Sequence, residues 1–178
     1  MPIIDTHNHF WRVDTDDLYW LNNEADPILA RDYLPTDLKP HLDVVGVDQS
    51  IIVQASHTWA DQLTYLEMAE IYDFIGGVIA WVNLEAPDVG DQIDALAASP
   101  WFRGIRAGAE DRHDNEAWLS LETVRQGIQT VTERGHVVEL LVKTPHLPYV
   151  PQIAEENEGA RLIVDHLAKP PFGTPLMD

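Results

Sequence analysis

The chain has 178 residues, 45% of them hydrophobic, and its 30 acidic against 11 basic side chains give a formal net charge of −19. That charge repels nucleic acid and anionic membranes, so neither is expected as a partner. Cysteine is absent, which excludes disulfides and thiolate chemistry.

No apolar run approaches the roughly 18 residues that a bilayer span needs. The start also lacks the basic, apolar and small-residue pattern of a signal peptide, because Asp5 and Thr6 interrupt it. A cytoplasmic location is therefore expected.

The first predicted element is an apolar strand at Ile3 and Ile4 that runs into Asp5, Thr6, His7, Asn8 and His9. Strand periodicity puts Asp5, His7 and His9 on one side, with Thr6 and Asn8 on the other. At a rise of roughly 3.3 Å per residue, the two imidazoles can converge on one metal ion or one substrate oxygen, or be simply two hydrogen-bonded histidines at a solvated strand end. The long segment from Phe10 to Pro35 comes next. Its aromatics Trp11, Tyr19 and Trp20 fit either a lid or substrate wall, or packing on a rim.

Ser50–Val53 is the next strand, and Leu63, Leu66, Ala69 and Tyr72 place a helix over Ala60–Phe74. Ile75–Val82 is a third strand. Val89, Ile93, Leu96 and Ala97 mark a helix ended by Pro100, and Arg103–Arg106 sits where a fourth strand is due. Ser120 can cap a helix carrying Val124, Ile128 and Val131, with Gly135 just past its end. His136–Val142 is a strand, Tyr149–Asn157 a short helix and Arg161–His166 a sixth strand. After it, Pro170, Pro171, Gly173 and Pro175 read as a turn-rich loop.

Near-continuous Val/Ile/Leu strands alternating with helices imply a parallel sheet covered on both faces, either doubly wound or a (β/α)8 barrel. No glycine-rich phosphate loop follows any strand, which removes the nucleotide-binding form of the first. In such folds chemistry sits at the carboxyl ends of the strands. There the sequence places His7 and His9, Gln54 with Ser56 and His57, Asn83 with Glu85, Arg106, His146, and Asp165 with His166. His57 and His146 are expected to be solvated. Glu139, inside an apolar strand, must be paired and is expected in an interior network. His136 belongs to the opposite face, and His41 and His113 have no partner pattern. Asp165 and His166 should face opposite ways unless the strand ends between them.

Three stretches, IIDTHNHFW at 3–11, RGIR at 103–106 and VDHLAKPP at 164–171, together resemble the amidohydrolase-related family, in its sugar-lactonase and dicarboxylate-lactonase branch. The resemblance implies a TIM-type (β/α)8 barrel and hydrolysis of a small polar lactone, of the sugar-acid type, by an activated water. It implies His7, His9 and His166 as catalytic residues. Arg106 would anchor a substrate carboxylate or hydroxyl; from the strand-end residues, Gln54 and His146 are expected to complete the substrate contacts. His7 and His9 would be the metal ligands. Relatives that depend on a metal carry a His or modified Lys on the fifth strand. This chain reads VVELLV there, so one divalent ion, zinc, is expected to be weakly held or absent. About six of the eight βα units are expected within residues 1–178, as one C-terminally truncated barrel domain, since a complete barrel takes about 250 residues. The aspartate that closes the family's eighth strand has no counterpart. A homo-oligomer is compatible with this reading. Two other functions compete: a metal-dependent non-oxidative decarboxylase of the same superfamily, and a truncated, non-catalytic binding module.

Overall fold

Strands and helices alternate along the chain in the computed structural model, which describes residues 1–14, 16–18, 20–21, 27–109 and 117–173. They are β1 (Ile4–Asn8), α1 (Pro35–Val45), β2 (Gln49–Val53), α2 (Trp59–Ile71), β3 (Ile75–Ala80) and α3 (Val89–Ala97). After these come β4 (Phe102–Gly108), α4 (Glu122–Glu133), β5 (Val137–Leu141), α5 (Val150–Glu156) and β6 (Leu162–Val164). Strand order follows chain order, β1 to β6, and every pair whose register is defined is parallel. This is the βα alternation from which a (β/α)8 barrel is built. Among the described residues no helix is long and apolar enough to cross a membrane.

The chain divides into two compact units, Met1–Trp81 with Ala95–Arg103, and Val82–Asp94 with Gly104–Asp178. In the first, Ile52, Val53, Ile75, Val78 and Ala80 are buried with Tyr65, Leu66 and Ala69 of α2. In the second, Ile105, Val138 and Leu140 are buried with Val124, Ile128 and Val131 of α4. Those three α4 residues lie one turn apart on one face, as their spacing predicts.

Two local expectations are corrected. The residues after Pro35 carry no predicted element, yet they form α1. Pro35 stands in the first turn, where a missing N–H costs little, and the Asp37 carboxylate accepts the Leu34 N–H at 2.8 Å. Pro40 inside the helix and the exposed Val44 and Val45 hide the amphipathic signal. Ser120, expected to cap α4, lies instead in a short 3-10 turn, Trp118–Ser120, and its hydroxyl donates back to the Ala117 carbonyl at 2.7 Å. Leu121 is the residue before the helix.

Gly104 and Gly127 are required by close approach. A Cβ on Gly104 would collide with the Val137 carbonyl of the neighbouring strand, and one on Gly127 with the Leu84 carbonyl. The aromatic segment after β1 is tied at its base, where Trp11 and Tyr33 exchange backbone hydrogen bonds at 3.0 and 2.9 Å. Trp11 packs edge-on against Trp20 at 5.4 Å and tilted against Tyr33 at 4.6 Å. Tyr19 lies outside the described residues.

Candidate active site

The first unit brings His7 and His9 together, as their spacing predicts, while the strand that carries them breaks the alternation expected for Asp5 and Asn8. β1 pairs Asp5 with Ser50 and Asn8 with Ile52, three steps against two, which is a one-residue bulge between them. As a result Asp5 and Asn8 meet: the Asn8 amide donates to Asp5 Oδ2 at 2.6 Å and to Ser50 Oγ at 2.8 Å. Asp5 therefore supports the bulge, where alternation had placed it beside the histidines.

Beyond the bulge, His7 Nε2 and His9 Nε2 stand 3.1 Å apart, with the rings edge-to-face. His9 Nδ1 lies 2.8 Å from the Val53 carbonyl, so that nitrogen carries the proton and His9 Nε2 is an acceptor. His7 Nε2 then supplies the hydrogen between the two rings. Two nitrogens at about 2.0–2.1 Å from a tetrahedral zinc ion would be about 3.3 Å apart, so the pair also fits a divalent ion as two of its ligands. A backbone carbonyl on the far nitrogen of a ligating histidine is the usual way such a ring is oriented.

The carboxyl end of β2 continues this arrangement. Gln54 directly succeeds the strand and is buried, 2% exposed. Trp20 Nε1 donates to the Ala55 carbonyl at 2.6 Å, and the Ala55 N–H donates to the Tyr65 hydroxyl. Burial pushes the Tyr65 phenol far above its ordinary range, so it stays neutral. His57, expected in solvent, stacks on Trp81 at 5.0 Å. Gln62 is a residue that sequence reasoning missed. Fully buried on α2, it donates to the Ser56 and Thr58 carbonyls, both at 2.9 Å, and accepts the Trp81 N–H at 2.8 Å. Its only trace in the sequence is a polar residue beside an apolar helical face.

In the second unit, parallel pairing sets Arg106 of β4 opposite Glu139 of β5. Arg106 Nε lies 3.0 Å from Asp165 Oδ2 and 3.6 Å from Glu139 Oε2, with all three side chains buried. The expected substrate anchor is thus the centre of a buried ion cluster, and Glu139 sits in the interior network expected for it. Burial, and next the Asp165 charge, push the Glu139 carboxyl up to about 7 against the pull of Arg106. One guanidinium does not fully offset two buried carboxylates.

β6 ends at Val164, before both residues, so strand alternation does not send Asp165 and His166 to opposite faces, and a carboxylate oxygen of Asp165 lies within 4.8 Å of a ring nitrogen of His166. The backbone beyond that strand end has no signal in the sequence. His166, Leu167, Ala168 and Lys169 all have left-handed backbones, with φ of 52°, 54°, 59° and 45°. This reversal buries Asp165 and leaves His166 exposed. His146, expected to be solvated, is buried, and its Nδ1 accepts the Lys143 N–H at 2.9 Å, so Nε2 carries the ring proton. Asn83 Oδ1 accepts the Glu85 N–H at 3.1 Å and so serves the local turn, while the Glu85 carboxylate accepts the Trp118 indole N–H at 3.0 Å from a distant part of the chain. His113 lies outside the described residues.

Known proteins resemble this chain along most of its length. It is 34% identical over 96% of its residues to an L-fucono-1,5-lactonase of Burkholderia ambifaria, of which it covers 58%. It is 30% identical over 94% of its residues to an L-fucono-1,5-lactonase of Burkholderia multivorans, covering 56% of it. The chain thus spans a little under three fifths of these relatives. A crystal structure of a Burkholderia multivorans amidohydrolase with bound zinc superposes with a TM-score of 0.87 at 30% identity, over 95% of this chain and 59% of that one. The amidohydrolase family model matches residues 4–176, and the chain belongs to the amidohydrolase family.

Proposed function

We propose that this protein hydrolyses a small polar lactone of the sugar-acid type. The observation that carries this reading is the His7–His9 pair, whose Nε2 atoms are 3.1 Å apart and whose tautomers are fixed from the Val53 carbonyl. The similarity to two L-fucono-1,5-lactonases supports the choice of a lactone.

In the proposed reaction, water adds to the lactone carbonyl carbon. The ring C–O bond then breaks, and the ring oxygen takes a proton to give a hydroxy acid. A carboxylate base takes the proton from the attacking water. His7 Nε2–H, given to His9 in the free protein, turns to the carbonyl oxygen as negative charge develops there, and we assign His166 as a donor to the same charge. Arg106, Gln54 and His146 Nε2–H engage the remaining substrate oxygens. When bound, a divalent ion, zinc by preference, would be held by the Nε2 lone pairs of His7 and His9, with the His7 proton on Nδ1, and would supply the polarisation of the carbonyl in place of the His7 N–H. We assign the protein to the cytoplasm, acting on a neutral or mono-acidic small molecule.

The test is acid release from a panel of 1,4- and 1,5-lactones, L-fucono-1,5-lactone among them, before and after dialysis against a chelator. Turnover of a hydroxylated lactone, with zinc content falling in His7→Ala, is the expected result. Carbon dioxide release from an aromatic carboxylate with no lactone turnover would replace this reading with a decarboxylase. Turnover of neither substrate class would leave a binding module.

A further inference from the structure

We propose that Gln54 reads a ring hydroxyl of the substrate, and that this contact selects polyhydroxylated lactones over plain ones. The inference rests on the lactone reading and adds to it the chemical feature that is recognised.

Gln54 is 2% exposed, and its Oε1 is buried with no hydrogen-bond partner among the described residues. A buried carbonyl oxygen left unpaired costs roughly 1–3 kcal/mol. Folded proteins rarely leave such an atom unsatisfied, so a donor from outside the chain is the natural complement.

Its location says where that donor arrives. The preceding carbonyl, Val53, holds His9 Nδ1 at 2.8 Å, and the next one, Ala55, holds Trp20 Nε1 at 2.6 Å. The Gln54 N–H is itself paired with the Ile79 carbonyl at 2.9 Å. Both carbonyls beside Gln54 and its own N–H are thus taken, while the side-chain oxygen is left. It stands at the carboxyl end of β2, directly after the residue that orients the histidine pair.

Donor and acceptor chemistry identifies the complement. Oε1 only accepts, and a lactone's carbonyl and ring oxygens also only accept. The single donor a lactone can present is a hydroxyl. A plain lactone would therefore bury Oε1 unsatisfied. Sites built to pair a polar group discriminate far better against its absence than apolar pockets do against an extra group.

The experiment compares L-fucono-1,5-lactone with δ-valerolactone, the same six-membered ring without hydroxyls, on the wild type, Gln54→Met and Gln54→Glu. Gln54→Met keeps the length and loses the acceptor, whereas Gln54→Glu keeps an acceptor. In Gln54→Met, kcat/KM for the hydroxylated lactone should fall about 10- to 100-fold and that for δ-valerolactone less than about 3-fold, with Gln54→Glu retaining the preference. Equal losses on both substrates, or none on either, would overturn the proposal. If Gln54→Met fails to fold, the Gln54→Glu comparison decides, and loss of the preference there counts against it. If the wild type turns over no lactone, the lactonase reading fails separately. Calorimetric binding of the two lactones to wild type and Gln54→Met then tests the hydroxyl contact by itself, and equal affinities would refute it.

Discussion

His7 and His9 share one hydrogen between their Nε2 atoms at 3.1 Å, and the Val53 carbonyl decides which ring supplies it. Groups arranged in this way act as a unit, so their losses should not add. His7→Ala and His9→Ala are each expected to lower kcat/KM by about 10²- to 10³-fold, with the double variant little worse than either. Losses that multiply in the double variant would mean the two rings act independently.

Glu139 gives a pH signature. Its carboxyl titrates near 4.5 when unfolded and at about 7 in the fold, so between those values the folded state binds more protons than the unfolded one. Stability must therefore fall as pH rises through that window. Glu139→Gln has no such proton to lose. The difference in melting temperature, variant minus wild type, should grow from about pH 4.5 to about pH 7 and then level off. A difference independent of pH would show that Glu139 stays ionised throughout.

Gln62 should matter more for stability than a surface glutamine. It satisfies two carbonyls and one N–H at the ends of β2 and β3 while itself fully buried. Gln62→Leu strands the Ser56 carbonyl and the Trp81 N–H, while the Thr58 carbonyl keeps the Gln62 backbone N–H at 3.4 Å, and a loss of about 2–4 kcal/mol is expected in denaturant unfolding. A loss below about 1 kcal/mol would mean that water replaces the side chain without penalty.

The left-handed run after β6 makes an unusual expectation for glycine. Leu167 is 80% exposed and has φ of 54°. A residue with a Cβ is disfavoured by about 1–2 kcal/mol in this conformation, more than the entropy penalty of glycine. Leu167→Gly should therefore be neutral or stabilising by up to about 1 kcal/mol, and Leu167→Val destabilising. A destabilising glycine would show that the Leu167 side chain is held by packing.

Most of the architecture was legible because buried parallel strands and amphipathic helices leave strong periodic signals. All six strands lie within or beside the predicted runs, with ends moved by one or two residues. α1 was hidden because Pro40 and two exposed valines disguise its apolar stripe. The His7–His9 spacing was informative, but the bulge that turns Asp5 towards Asn8 was not, since a bulge depends on the partner strand. The pairing of Arg106 with Glu139 and Asp165 is a matter of register between strands distant in sequence. The unpaired Gln54 oxygen is a property of packing alone. Periodicity reports which face a residue occupies, and says nothing of what meets it there.

The reciprocal backbone bonds between Trp11 and Tyr33 have a consequence for how this enzyme family can vary. They join the two ends of the segment between Trp11 and Tyr33, so a change of length between them need not alter the pairing. Lengthening such a closed segment costs only about 0.6 kcal/mol for each doubling, because the closure entropy grows logarithmically. The pairing, not the segment, sets the path from His9 into α1. Changes of length between Trp11 and Tyr33 can therefore leave the His7–His9 spacing untouched.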